Sequence, residues 1–285
     1  MNVFIIGVAG YLGSRLADHF EGLGLTVAGS SRSASGASGR RVCHVELGEP
    51  VIPAIFEGSS VVIHAAHDLG RGAMDRNIGG TRACLAAARA AGVQAQVFLS
   101  SYAARPDALS EYGRTKHRIE QTFLEGGETV LRPGLVVGNG GLFGRQRRAL
   151  LRTPVVPLVG DGNTPVALIA LGHFLAAVEA VVLGGKPGAY SLFYDERPTL
   201  REFVRAVRRH AGHRSMLLPV PARLAIAVLR GARALGIRVP ADPDQIASLQ
   251  SNRTSPWRSD LPALLPARKS EFNLGYALAQ LAGSP

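Results

Sequence analysis

Cysteine is almost missing from this 285-residue chain. Cys43 and Cys84 are the only two, spaced neither as metal ligands nor as a CxxC pair. A disulfide framework is excluded, and two free thiols in a reducing compartment point to the cytoplasm. Aromatic residues are scarce, at 6% with a single tryptophan. The 32 basic residues outnumber the 21 acidic ones, for a net charge of +11, yet they are scattered. Without aromatic interleaving or a recognition module, nucleic-acid binding is not expected. The basic excess is either a preference for an anionic ligand or an arginine-rich surface and nothing more. No apolar run reaches membrane-spanning length, so no membrane partner is expected. The N-terminus lacks a basic n-region, so it does not read as a signal peptide. What remains, 46% hydrophobic and 19% charged, describes a soluble globular protein of one large domain, or a large and a small one.

The stretch Asn2 to Phe20 organises the chain. Val3 to Ile6 is a short apolar run suited to a strand buried on both faces. Gly7, Gly10 and Gly13 follow as GxxGxxG, and Leu12, Leu16 and Phe20 then mark one helix face. Strand, glycine turn and helix start make a site for a dinucleotide pyrophosphate, contributed by Gly7, Gly10, Tyr11, Leu12 and Gly13. An acid is also missing where a second strand, Leu25 to Gly29, ends in Ser30, Ser31 and Arg32. An acid there would hold the 2′-hydroxyl of NAD; two hydroxyls and a guanidinium suit a 2′-phosphate. NADP(H) is therefore favoured, with NAD(H) the alternative, and Ser31 and Arg32 are cofactor candidates.

Strands follow at Val42 to Leu47, Val61 to His64, Val97 to Leu99, Thr129 to Val137 and Tyr190 to Phe193. Glu46 and Leu47 are placed beside the adenine, and small Ala65 and Ala66 permit close cofactor approach. Helices are expected over Met74 to Gly92, Glu111 to Leu124, Gly172 to Leu183, Thr199 to Ala211 (with a capping box) and Leu217 to Leu235. Ser33 to Arg41 reads as a polar loop, Leu158 to Asn163 as a turn, and residues 236–270 as irregular. The alternation predicts an α/β fold: a Rossmann-type doubly wound parallel sheet with a smaller, mostly C-terminal substrate-binding region. The cofactor domain is expected over 1–138 and 164–195, and the substrate region over 139–163 and 196–285.

Tyr112 and Lys116 stand i, i+4 on one helix face, and Ser101 sits with Ser100 at the carboxyl end of a central strand. A tyrosine hydroxyl titrates near pH 10, and a lysine one turn away lowers that toward a useful range. Ser101 is placed to hydrogen-bond the reacting oxygen. Neither a YxxxK nor a strand-end serine carries weight alone. Arg145, Arg147, Arg148 and Arg152 either clamp an anion or form a solvated face, and the latter is the expectation. Arg201, Arg205, Arg208 and Arg209 read as solvent-facing, His64 as structural, and His67 or Asp68 as pocket-lining. The histidines show no metal spacing.

Taken together, these residues resemble the short-chain dehydrogenase/reductase superfamily, in its extended or atypical branch, the NAD(P)-dependent epimerase/dehydratase group. Gly7 to Gly13 is similar to that group's TGxxGxxG, His64-Ala-Ala66 to its HxAA, and Asn77 to Thr81 to its NxxGT. Ser100-Ser101, Tyr112 to Lys116, Leu131-Arg132-Pro133 and Phe272 to Tyr276 also correspond. The resemblance implies Tyr112 as general acid/base, Lys116 as its electrostatic partner and ribose ligand, and Ser101 as donor to the substrate oxygen. It also puts Asn77 and Ser100 near the cofactor, and Arg132 and Pro133 at the nicotinamide end. Leu135 and Gly172-His173 stand where nucleotide-sugar enzymes of the group carry an asparagine and an aspartate pair. Tyr102, Ala103 and Ala104 supply no acid/base pair for dehydration. The expected activity is NADP-dependent reduction of a ketone on a polar, anionic small molecule, with a nucleotide-activated keto-sugar leading. The alternatives are a 4-epimerase with retained NAD(P) and a non-catalytic NADP sensor. A homodimer is common in the group.

Overall fold

The computed structural model describes residues 1–33, 39–70, 72–214, 216–234, 243–251 and 255–281. Parts of the expected polar loop (34–38) and of the expected irregular stretch (236–242 and 252–254) lie outside the described residues. The chain divides into two units. One comprises Met1–Ala104, Thr115–Arg132 and Leu175–Tyr190; the other comprises Arg105–Arg114, Pro133–Phe174 and Ser191–Pro285.

The apolar runs read from sequence become β1 (Asn2–Ile6), β2 (Thr26–Ser31), β3 (Val42–His44), β4 (Val61–His64), β5 (Ala95–Leu99) and β6 (Thr129–Pro133). Between them run α1 (Tyr11–Gly22), α2 (Met74–Ala90) and α3 (Glu111–Glu125). A seven-stranded sheet is ordered β10-β6-β5-β4-β1-β2-β3, where β10 is Ala189–Leu192, and the neighbouring pairs from β3 to β6 are parallel. The order reverses around β1, which opens a crevice at its carboxyl end. Residues on both sheet faces are buried: Val3, Ile5 and Ile63 on one, and Phe4, Ile6 and Val62 on the other, where α2 and α3 pack. Phe4, Ile6 and Val62 pack with Cys84, Ala87 and Ala88 of α2 and with Phe56, whose ring meets Phe4 edge-on at 4.9 Å. Phe98 and Val130 pack with Ile119 and Phe123 of α3, the two phenyl rings stacking at 5.1 Å. Continuous burial of this kind is what near-unbroken apolar strands require.

Four expectations about the secondary structure are corrected. The run Thr129 to Val137 is two strands, because β7 (Leu135–Val137) leaves the main sheet after Gly134 and pairs with β9 (Leu168–Ala170). A Cβ on Gly134 would lie 2.7 Å from the Ala167 carbonyl oxygen, so only glycine lets the two backbones cross there. After α4 (Gly141–Arg152), the supposed turn begins inside β8 (Val155–Val159). β8 pairs in parallel with β11 (Met216–Val220), taken from sequence as the start of a helix. That helix, α7 (Ala222–Ala234), starts only after Pro221. Residues 236–270 are not wholly irregular, since they include α8 (Pro243–Ser251) and α9 (Leu261–Leu264).

The second unit also holds α6 (Leu200–His210) and α10 (Leu274–Ala279), while α5 (Leu171–Gly184) runs on from β9. Thr199 caps α6 as its sequence predicts: Glu202 N–H donates to Thr199 Oγ1 at 3.2 Å and Thr199 N–H to Glu202 Oε2 at 2.8 Å. Arg208 is not solvent-facing. It is 2% exposed, and its guanidinium donates to the carbonyls of Leu150, Thr153 and Arg214, binding the last turn of α4 to the end of α6. His173, read from sequence as a departure from the group's pattern, is a fully buried ring, bonded to the Tyr194 hydroxyl (2.8 Å) and Glu271 (3.3 Å) and stacked on Tyr276. Among the described residues, no helix is long and apolar enough to cross a membrane.

Candidate functional site

The glycine turn forms a cradle whose shape depends on three missing side chains. Gly7 takes φ +87°, and its N–H and that of Val8 donate to the Ser30 carbonyl at 2.9 and 3.0 Å. A Cβ on Gly7 would lie 2.9 Å from the Ala66 backbone, and one on Gly13 only 2.2 Å from the Gly7 carbonyl. The start of α1 therefore presses against the turn, with Ala65 tied to Ile6 by a 2.9 Å backbone bond. No side chain caps α1 and no acid lies in its first turn. Helix geometry leaves the N–H groups of Tyr11, Leu12 and Gly13 without intrahelical acceptors. The fold thus gathers Gly7, Gly10, Tyr11, Leu12, Gly13, Ala65 and Ala66 around one electropositive helix end, and these residues fit a dinucleotide pyrophosphate.

The residues expected beside an adenosine lie at the end of β2, in the turn after β3 and on α2. Ser30 is fully buried and its hydroxyl has no hydrogen-bond partner among the described residues; Ser31 bonds Ser33, and Arg32 is exposed. Leu47 packs on the core while Glu46 is exposed. A Cβ on Gly80 would strike Leu47 Cα at 2.7 Å, so this glycine lets α2 lie on the Leu47–Gly48 turn. Asn77 is buried, and its amide oxygen and nitrogen hold Asp68 N–H and Asp68 C=O, each at 2.8 Å. It fixes the loop rather than standing open toward a ligand. The Asp68 carboxyl is held below its usual range by Arg76, 2.8 Å away, then by the Gly70 N–H and by Arg32. Sequence reasoning missed Arg76, because nothing in the NxxGT pattern marks the residue before it.

Ser100 and Ser101 follow directly on the carboxyl end of β5. Ser101 is half-buried, and its Oγ accepts from Ala103 N–H at 3.2 Å, so its own proton is available to donate. Ser100 Oγ is buried without a hydrogen-bond partner among the described residues. α3 carries half-buried Tyr112 one turn before Lys116. Lys116 is 3% exposed; its Nζ donates to the Leu99 carbonyl at 2.7 Å and lies 4.6 Å from the Phe98 ring centroid. Burial pulls its pKa down to about 7, opposed by the carboxylate of Glu120 one turn further on. Glu120 in turn accepts from Nε and Nη2 of the Arg132 guanidinium at 2.7 to 3.0 Å, so Arg132 braces α3 against β6, which ends at Pro133. His67, half-buried after β4, is pushed down to about 2 by burial and by the Lys116 ammonium, and so stays neutral.

His64 lies outside this chemistry. Its Nε2 meets Gln96 Oε1 at 2.8 Å, so that nitrogen carries the proton, and burial depresses its pKa to about 4. The folded protein then binds fewer protons than the unfolded chain between pH 6.5 and 4, and stability falls as pH drops through that window. The contribution lost is about 3 kcal/mol. Denaturant titrations at pH 7 and pH 4 should show His64→Asn, which cannot titrate, losing less stability than the wild type; equal losses would mean that His64 charges freely in the fold.

No metal spacing was read among the histidines, yet the fold brings ligand atoms of exposed His44, Glu46 and Glu49 within 4.8 Å of one another.

A model of the NAD dependent epimerase/dehydratase family matches residues 3–162. No curated protein sequence matches the chain. Among solved structures, a nucleoside-diphosphate-sugar epimerase from Staphylococcus aureus aligns with TM-score 0.76 at 14% identity, covering 93% of this chain and 96% of that one. The Thermus thermophilus UDP-glucose 4-epimerase in complex with NAD aligns with TM-score 0.65 at 22% identity, over 89% and 98%. MoeE5 in complex with UDP-glucose and NAD gives TM-score 0.67 at 22% identity, over 89% and 98%. At these identities the likeness is one of fold.

Proposed function

The chain belongs to the NAD dependent epimerase/dehydratase family, and we propose that it reduces the ketone of a nucleotide-activated keto-sugar with NADPH. The observation that carries this reading is the placement of Tyr112 one turn from a buried Lys116 whose ammonium is anchored to the last carbonyl of β5, the strand that leads into Ser101. A nicotinamide held at this site would supply the hydride for the carbonyl carbon. Tyr112 gives its phenolic proton to the carbonyl oxygen, turning the ketone into a secondary alcohol. Lys116, as the ammonium, stabilises the phenolate left behind, and the phenolate takes a proton from solvent before the next turnover. Ser101 donates to the same oxygen and holds it against Tyr112.

The cofactor preference rests on the end of β2. Arg32 follows two serines, and the nearby acid, Asp68, is engaged by Arg76, so the local charge stays positive. Arg32→Ala should weaken NADPH binding by roughly 10-fold or more while leaving NADH within about twofold, by loss of a charge-assisted phosphate contact. Equal losses for the two cofactors would remove the NADP argument.

Incubation of the purified protein with NADPH and a UDP-linked 4-keto-hexose tests the reaction, one cofactor being oxidised per alcohol formed. Epimerisation is the second reading, favoured by the epimerases among the structural neighbours. An epimerase would purify with cofactor bound and consume none.

A further inference from the structure

We propose that Asp244, on α8, is a positioning residue for Tyr112. This rests on the assignment of Tyr112 as the proton donor. A helix begins with N–H groups that have no partner inside it, and a side chain that accepts from them fixes the first turn. At the start of α3 these donors are all taken. Glu111 N–H donates to Asp244 Oδ1 at 2.8 Å, Tyr112 N–H to Asp244 Oδ2 at 3.1 Å, and Gly113 N–H to Ser110 Oγ at 3.0 Å. Ser110 Oγ is itself bonded to Ser248 Oγ, 2.7 Å away and one turn further along α8.

Ser110 is an ordinary local cap. Asp244 is not: it lies 132 residues from Tyr112, and both its carboxylate oxygens close on consecutive amides of the turn that carries the phenol. A carboxylate there also suits the positive end of the helix. The arrangement ties the direction of the Tyr112 side chain to α8. The hydroxyl must reach a reacting oxygen within hydrogen-bond distance, and a shift of about 1 Å at such a group can reduce turnover roughly 100-fold.

The test is a double-mutant cycle on turnover of NADPH with a UDP-linked 4-keto-hexose, combined with amide exchange at residues 111–113. Asp244→Ala should lower kcat about 10- to 30-fold, with KM and NADPH affinity within about twofold. Asp244→Asn keeps an acceptor oxygen over the turn and should recover most of that loss. In a Tyr112→Phe background, Asp244→Ala should have no further effect, because no hydroxyl remains to be aimed. Exchange at Glu111 and Tyr112 should accelerate about 10-fold or more in Asp244→Ala. Ser248→Ala, a milder change, should give a smaller kcat loss and keeps the test readable if Asp244→Ala folds poorly. The proposal is overturned if Asp244→Ala keeps kcat within about twofold of wild type, or loses the same factor in both backgrounds, as a purely structural cap would. Should Tyr112→Phe turn over normally, both the catalytic assignment and the clasp fall. Should it be inactive while Asp244→Ala is normal, the clasp alone falls. If the wild type does not turn over this substrate, the functional reading falls and amide exchange decides the clasp: unchanged exchange overturns it.

Discussion

Tyr112→Phe should reduce turnover by about 10²- to 10⁴-fold while leaving NADPH affinity within about threefold. The substitution deletes one oxygen from a half-buried ring and leaves the first turn of α3 with its backbone bonds to Asp244 and Ser110. Nothing in the glycine cradle changes, since Gly7 faces Ala66 and Gly13 faces the backbone of Gly7 and Val8. The loss should therefore appear in kcat, because the proton donated to the carbonyl oxygen is needed in the transition state and not for binding. Steady-state kinetics alongside a cofactor titration would separate the two. A variant within about fivefold of wild-type kcat would mean that proton transfer here does not use this phenol. A protein that only senses NADP would keep its full response in the same variant.

The parts of this site that were legible in the sequence are those determined by neighbours along the chain. Gly7, Gly10 and Gly13 are read by spacing because the turn, the helix start and the missing Cβ atoms lie within seven residues. Tyr112 and Lys116 are read because a helix repeats every 3.6 residues. The Thr199 capping box is read for the same local reason. What was missed depends on partners far away in the chain. Gly134 reads as a weak strand residue until Ala167 arrives against it. Arg208 shares the sequence texture of Arg205 and Arg209, and only the carbonyls of Leu150 and Thr153 distinguish it. Asp244 lies in a stretch whose prolines conceal a helix, and its role exists only once Tyr112 N–H is placed beside it. Glu120 fits the helical pattern as a surface acid, yet it is 1% exposed because Arg132 reaches it from β6. Local rules thus picked out the candidate groups, and long-range packing supplies the residues that hold them.

Lys116→Met should inactivate the protein and make it more stable. In the fold the ammonium is 3% exposed and its pKa is pulled to about 7 by burial, against an ordinary value near 10.5. The unfolded chain therefore binds more protons between pH 7 and 10.5, so charging this group opposes folding, most strongly at the low end of that window. At neutral pH the opposition is about 4 kcal/mol. Methionine has a similar length, fills the same space beside Phe98 without charge, and removes that term. It also deprives the Leu99 carbonyl of a 2.7 Å donor, which costs about 1–3 kcal/mol. The expected net gain is roughly 1–3 kcal/mol at pH 7, shrinking as the pH rises toward 10.5, where the unfolded lysine also loses its proton. Turnover should fall by at least about 100-fold, since the phenolate of Tyr112 loses its cation. Denaturant midpoints of both proteins at pH 7 and pH 10 would measure the gain and its pH dependence. If Lys116→Met proves less stable than the wild type at pH 7, the ammonium is a net support of the fold, and its burial cannot be explained as a sacrifice of stability to catalysis.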